Sequence, residues 1–325
     1  MIPHLGGGGA EQVVALLAQG LSRSKYEVHL GLVTESCMDE TDVPAGVAVH
    51  MLGARRVRMA AYRVLRLVRQ LRPDVVLSGM AHLNFLILLL RPLFPAGTRV
   101  LVRQNATVSS SLAEGRLPAY TGLLYRLLYR QADGVICQSG AMAEDLALVT
   151  GLDRSRIAVA PNPLDLEGIR AAFRGSSLWP GPGPNLLAVG RLSPEKGYDL
   201  LLEAVATVRD RFPALRLTLL GKGAEEQSLR HLAASLGLDG VVEFAGYQRR
   251  PYLYFPGATL FVMSSRHEGM PNALLEALAA GLPVVSTPAS GGVVALLAGR
   301  PQAWLAESAT VPALAAALEK ALTSR

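Results

Sequence analysis

Short apolar runs alternate with helical patterns along the whole chain. In the first half, strand-like runs fall near 28–33, 47–51, 74–78, 99–103, 134–138 and 157–160, and helical patterns near 10–22, 60–71, 81–91, 118–131 and 141–149. In the second half, strand-like runs fall near 185–189, 215–220, 241–245, 258–263, 283–286 and 303–305, and helical patterns near 197–210, 223–236, 271–280 and 310–322. Strand and helix taken in turn predict an α/β fold with parallel sheets. The segment GSSLWPGPGPN, 175–185, breaks the rhythm with proline and glycine. It predicts a linker between a first domain, 1–175, and a second, 176–325. A length of 325 residues agrees with two domains. No internal repeat is visible beyond this shared rhythm.

Half of the residues are apolar, enough for two sizeable cores. The two cysteines, Cys37 and Cys137, stand far apart without metal-like neighbours and read as buried apolar residues in a reducing compartment. The six histidines show no metal-site spacing and no Asp-x-Asp triplet occurs, so no protein-held metal and no cofactor are expected. The longest apolar run, LNFLILLL (83–90), is stopped by Arg91, well short of the roughly 20 residues a membrane span needs. MIPHLGGGG is no signal peptide. These features predict a soluble, cytoplasmic protein.

Charge changes the picture in one region. Between residues 55 and 130 there are thirteen arginines against two acids, Asp74 and Glu114, a local balance of +11 against +6 for the whole chain. In AAYRVLRLVRQLR the arginines recur every three residues, opposite Val64, Leu65, Leu67, Val68 and Leu71. Two readings stand side by side: ordinary surface helices packed on a sheet, or a basic face for an anionic membrane or a phosphorylated acceptor. No recognition motif supports nucleic acid.

Candidate chemistry concentrates in SRHEGMPNALLEALAAGLPVVS. Glu268 falls in a loop after the apolar strand ATLFVMS, and Glu276 falls eight positions later, inside a helix that starts near Pro271 or Asn272. Backbone N–H groups at a helix start can hold an anion, here those of Met270, Pro271's successor Asn272, Ala273 and Leu274, with Gly269 and Pro271 shaping the turn. Carboxylates on either side can grip hydroxyls. Sugar hydroxyls, a diphosphate and ribose hydroxyls follow one another in a nucleotide sugar. Arg191 and Lys196, in GRLSPEKG after another strand, can aim two cations at one diphosphate. The glycine run Gly6–Gly9 ahead of AEQVV lets backbone approach an anion at a second helix start.

The segment EGMPNALLEALAAGLPVV resembles the signature E-G-x-P-N-x-L-L-E-A-x-A-x-G-x-P-V-V of family 4 glycosyltransferases, which are retaining enzymes of the GT-B fold. GGGGAEQVVALLAQGL, VICQSGAMAEDL, IAVAPNPLDLE and LLAVGRLSPEKGYDLLLEAV resemble other segments of that family, in matching order over roughly residues 5 to 320. The resemblance implies two Rossmann-like domains facing across a cleft, and hexosyl or N-acetylhexosaminyl transfer from a nucleotide sugar, UDP by preference, to a glycan or lipid-linked acceptor. It implies that Glu268 contacts the transferred sugar, that Glu276 holds the ribose, and that Arg191 and Lys196 clamp the diphosphate. Gly8 and Gly9 would face phosphate from the first domain. Gly221, Tyr247 and Gln248 lie where the family holds the base, and Asn162 lies on the hinge side. Of the members, this chain most resembles those that build bacterial surface glycans.

Two departures carry expectations of their own. Relatives often place a histidine soon after the P-D-V-V strand; here Gly79 stands at about that position and His82 three residues later, with Asn105 a further candidate. The chain also begins inside the end of what would be the family's first strand, so the first domain is expected to lack that strand, and an upstream start or a fragment is one explanation. A non-catalytic nucleotide-binding subunit is the alternative reading, and a UDP-sugar epimerase a more distant one.

Overall fold

The computed structural model describes residues 1–5, 8–34, 46–113, 118, 120–175, 177–179, 181 and 183–324. Gly6, Gly7, Cys37, Glu114 and Arg116 lie outside the described residues. The chain divides into two compact units, Met1–Pro163 and Leu164–Arg325.

The first unit carries strands β1 (His29–Thr34), β2 (Ala48–Ala54), β3 (Val75–Gly79), β4 (Arg99–Arg103), β5 (Gly134–Cys137) and β6 (Ile157–Val159). β1 pairs with β2, and β3 to β6 form a four-stranded sheet in sequence order, all parallel. The family's first strand was expected to be lacking, and at the N-terminus the short segment Met1–Pro3 makes only an isolated bridge. Ile2 bridges Leu32 of β1 in parallel, and the Met1 amino group donates to the Leu77 carbonyl of β3 at 2.6 Å. Helices α1 (Gly9–Gly20), α2 (Ala61–Leu71), α3 (Ala81–Leu90), α4 (Val108–Ala113), α5 (Thr121–Leu128) and α6 (Gly140–Thr150) connect the strands. α2 buries Val64 and Val68 and leaves Arg63, Arg66 and Arg69 exposed, as its three-residue arginine spacing requires. α3 is apolar nearly all round because Leu83, Leu86, Ile87, Leu88 and Leu90 all join the core.

That core also holds a polar network. Tyr129 donates to Gln104 Oε1 at 2.7 Å, while Asn84 Nδ2 donates to the Tyr129 oxygen at 3.1 Å and to the Arg103 carbonyl at 3.0 Å. These bonds satisfy buried polar groups and pin the turn that follows β4.

The second unit holds β7 (Asn185–Val189), β8 (Arg216–Leu220), β9 (Val242–Phe244), β10 (Leu260–Met263), β11 (Val284–Ser286) and β12 (Ala303–Leu305) in one parallel sheet, ordered β12-β11-β10-β7-β8-β9. Its helices are α7 (Leu166–Ala172), α8 (Tyr198–Val208), α9 (Glu226–Ser235), α10 (Asn272–Ala279), α11 (Gly291–Leu297) and α12 (Val311–Thr323). Both sheet faces are covered. Leu201, Leu202 and Val205 of α8 and Leu314 and Leu318 of α12 pack with Leu217, Val262 and Val285. Ile169, Leu274, Ala277 and Val293, from α7, α10 and α11, pack with Leu187, Phe261 and Val284. Continuous apolar strands are the sequence signature of such two-sided burial.

The stretch 175–185 was expected as the linker, but its described residues belong to the second unit, which begins at Leu164. The reason is packing: Ile169 and Ala172 of α7 join the second core, and Trp179 Nε1 donates to the Tyr254 carbonyl at 2.9 Å.

Candidate functional site

β7 and β10 are neighbours, yet the chain leaves β7 toward β8 and leaves β10 toward β11, on opposite sides. Connections that part in this way open a crevice at the carboxyl ends of the two strands, the usual ligand position in open α/β sheets. The loops that leave these strands carry the two strongest sequence candidates. Lys196 ends a short 3-10 turn, Pro194–Lys196, after β7, and Glu268 lies in the loop between β10 and α10. Lys196 Nζ is 2.6 Å from Glu268 Oε1, with their side chains 22% and 11% exposed. Ser265 Oγ donates to the same carboxylate oxygen at 2.7 Å. The Glu268 N–H donates to the Ala289 carbonyl at 3.1 Å, fixing the loop from below.

α10 begins after Pro271, with no side-chain cap at its start. Its first backbone bond runs from Leu275 N to the Pro271 carbonyl at 3.2 Å, so the N–H groups of Asn272, Ala273 and Leu274 precede the helical ladder. Gly269 accepts from Ser290 Oγ at 3.4 Å, and Met270 adjoins it in the same turn. Glu276, fifth in α10, is 3% exposed and close enough to Tyr252 for its charge to act on that phenol. A cation, two carboxylates and a helix start on one strand-end crevice can hold an anion flanked by hydroxyl groups.

The backbone around Lys196 is tight. Gly197 has φ +61°, and a Cβ there would collide with the Ser264 carbonyl, whose side chain in turn donates to the Lys196 carbonyl at 2.9 Å. Gly221, after β8, has φ +156°, and a Cβ there would strike the Gly190 carbonyl at the end of β7. Tyr198 lies buried under this loop, and burial followed by the Glu268 charge pushes its phenol far up.

Arg191 is exposed in the loop after β7 and forms no ion pair among the described residues. Tyr247 is 43% exposed after β9, with Lys222 Nζ 5.2 Å from its ring centroid, and Gln248 donates to the Ala245 carbonyl at 2.9 Å. Asp165 caps α7 through the Gly168 N–H at 2.9 Å and accepts from the Tyr252 phenol at 2.9 Å.

The remaining candidates belong to the first unit. Gly8 is the N-cap of α1, where a Cβ would meet the buried Glu11 carboxylate, and Gly9 opens the helix. His82 is second in α3 and exposed; partial burial and then the nearby His4 lower its pKa below the ordinary histidine value. Gly79 ends β3 with its Cβ position 3.8 Å from Asn105 Nδ2. Asn105 accepts from Gln138 at 3.2 Å, and Asn162 accepts from the buried Arg103 guanidinium. Cys137 is buried, which pushes its thiol up to about 11.

Sequence reasoning missed Ser265, Arg266, Asp199 and Tyr198. Ser265 stands only three residues ahead of Glu268, but its bond to that carboxylate depends on how the loop folds. Arg266 and Asp199 are 67 positions apart, and only the sheet order brings them together. Among the described residues no group of three His, Cys, Asp or Glu side chains stands ready to hold a metal ion, and no helix is long and apolar enough to cross a membrane.

Two α/β units built on parallel sheets are the architecture of the GT-B fold class, shared with solved structures over nearly the whole chain. The chain belongs to the family 4, group 1 glycosyltransferases: residues 7–167 match the family described as Glycosyltransferase Family 4, and residues 169–325 match Glycosyl transferases group 1. It is 30% identical over 304 residues, 90% of this chain and 80% of the relative, to N-acetylgalactosamine-N,N'-diacetylbacillosaminyl-diphospho-undecaprenol 4-alpha-N-acetylgalactosaminyltransferase of Campylobacter jejuni. With the lipopolysaccharide core biosynthesis glycosyltransferase LpsE of Rhizobium meliloti it shares 37% identity over 163 residues, 50% of this chain and 46% of that one. The crystal structure of Anabaena HepE in complex with UDP and glucose is similar in fold, with a TM-score of 0.77 at 19% identity, covering 99% of this chain and 88% of that one.

Proposed function

We propose that this glycosyltransferase moves a hexose or N-acetylhexosamine, with retention of configuration, from a UDP-sugar to a hydroxyl of a glycan or lipid-linked acceptor. The observation that carries the reading is the Lys196–Glu268 pair, 2.6 Å apart at the start of α10. In this reading Lys196 and Arg191 hold the diphosphate, whose negative charge grows as the glycosidic bond breaks, and fixed cations stabilise that growth without reorganising. Glu268 grips a sugar hydroxyl, Glu276 the ribose, and the N–H groups that open α10 a phosphate oxygen. Gly221, Tyr247 and Gln248 flank the base. The departing diphosphate accepts the proton of the acceptor hydroxyl, and no metal ion is required. The Campylobacter relative, whose name places its acceptor on diphospho-undecaprenol, and the UDP bound to HepE support the donor and acceptor classes.

The same reading places the enzyme at the cytoplasmic face of a membrane. Arg63, Arg66 and Arg69 line the exposed side of α2 beside Tyr62, 74% exposed, and Met59, 63% exposed. Such a mixed face suits anionic lipid. Sedimentation with vesicles should rise when phosphatidylglycerol is included, and Arg63→Glu with Arg66→Glu should abolish the difference.

The decisive experiment incubates purified protein with UDP-glucose, UDP-galactose, UDP-N-acetylglucosamine, UDP-N-acetylgalactosamine or GDP-mannose, with and without a polyprenyl-diphosphate-linked sugar. Acceptor-dependent UDP release that Glu268→Ala stops is the expected result. UDP binding with no release from any donor would instead mark a non-catalytic nucleotide-binding protein.

A further inference from the structure

The loop that carries Glu268 also carries Arg266, whose guanidinium points across the crevice rather than into it. Arg266 Nη1 donates to Asp199 Oδ1 at 2.8 Å and Nη2 to Asp199 Oδ2 at 2.6 Å, a two-pronged bridge. Nη1 also reaches the Pro194 carbonyl at 2.8 Å, and the Arg266 N–H donates to the Glu195 carbonyl at 2.8 Å. Asp199 sits in the first turn of α8, three residues after Lys196. Arg266 therefore grips the turn Pro194–Lys196 at both ends, from the loop that presents Glu268. The pairing holds each partner in its charged form: the arginine bond lowers the Asp199 carboxyl, and Asp199 raises the Arg266 guanidinium.

We infer that Arg266 and Asp199 are a positioning pair that sets where the Lys196 ammonium lies relative to Glu268, and so sets the affinity of the site for a nucleoside diphosphate. Three features carry this. First, a planar guanidinium matched to a carboxylate fixes direction as well as distance, which a single lysine bond could not. Second, the brace joins the two loops that leave neighbouring strands in opposite directions, where the sheet itself supplies no further pairing. Third, the turn between the grips is short and closed by Gly197, so displacement of Asp199 is passed directly to Lys196. The inference rests on the reading of Lys196 as a diphosphate ligand, but its mechanical part does not.

The test uses Arg266→Gln, Asp199→Asn, the double variant, and each of these with Lys196→Ala in the full chain. UDP affinity by calorimetry should fall about tenfold in either single variant, with no further loss in the double, as expected of residues acting as one unit. In the Lys196→Ala background, Arg266→Gln should change UDP affinity by less than about twofold, because the brace then has nothing to position. Arg266→Lys, which keeps the charge but loses the fork, should recover only part of the affinity. A general structural role would lower the melting temperature and act equally in both backgrounds, and that result would overturn the inference. A second measurement needs no nucleotide: acetic anhydride labelling of Lys196, followed by peptide mass spectrometry, should rise several-fold in Arg266→Gln. Unchanged labelling would also overturn the inference. Should the wild type fail to bind UDP while labelling still rises, the diphosphate reading falls and the brace stands.

Discussion

Lys196 Nζ and Glu268 Oε1 lie 2.6 Å apart, so each charge is countered by the other. Any anion that takes the lysine must compete with a carboxylate already there, and Ser265 holds that carboxylate in place at 2.7 Å.

Removing the carboxylate therefore separates binding from turnover. Glu268→Gln is expected to bind UDP more tightly than wild type, since its amide no longer claims the ammonium. Sugar transfer should fall by about 10²–10³-fold in kcat, the usual effect of deleting one group that acts on the reacting centre. Calorimetry with UDP and a coupled UDP-release assay measure the two separately; a parallel loss of both would contradict the competition.

Backbone freedom at Gly197 and Gly221 is needed for the same geometry. Gly197→Ala must leave φ +61° or push the Ser264 carbonyl aside, and Gly221→Ala must move the Gly190 carbonyl. Each should cost about 1–3 kcal/mol, read from urea unfolding. Gly20→Ala, at the last residue of α1 with open space around its Cβ position, serves as the control that should not destabilise.

In the first unit, Tyr129→Phe keeps the ring packing but leaves Gln104 Oε1 without the donor now at 2.7 Å and removes the acceptor used by Asn84. An unmet buried polar group costs about 1–3 kcal/mol. Denaturant melts should show that loss with an unchanged slope.

An alkaline titration tests the contact between Tyr252 and Asp165. The phenol is pushed up from 10.0 to about 12, first by burial, then by its bond to Asp165 and that residue's charge. A raised tyrosine pKa means that the folded state holds the proton more tightly than the unfolded chain. The stabilising contribution is therefore whole below pH 10 and is lost as pH rises toward 12. Tyr252→Phe should flatten the decline in stability across that window while leaving the neutral-pH unfolding cooperative.

Most strands were legible because strands buried on both faces read as unbroken apolar runs: NLLAV and TLFVM needed no context. The 175–185 stretch misled because proline and glycine mark a bend without saying which core its neighbours join. Three short helices escaped notice for a local reason. α11 opens with two glycines, and only the Ser290 hydroxyl accepting from Val293 N at 3.3 Å reveals its start. α7 has seven residues, and only the Asp165 carboxylate accepting from the Gly168 N–H at 2.9 Å reveals its start. α4 runs through three consecutive serines, a weak helical signal. In the candidate site, Glu268 and Lys196 were visible from residue type and loop position. The Arg266 brace was not, since nothing in local spacing selects Asp199 from the other exposed acids.

The adjacency of β7 and β10 has a consequence for how such enzymes diversify. Both halves of the ionic pair hang from neighbouring ladders of a single sheet, so their mutual geometry is inherited with that sheet as one piece. On the proposed function, substitutions in the loops of the first unit would leave that pair untouched, because among the described residues no strand of the first unit belongs to its sheet.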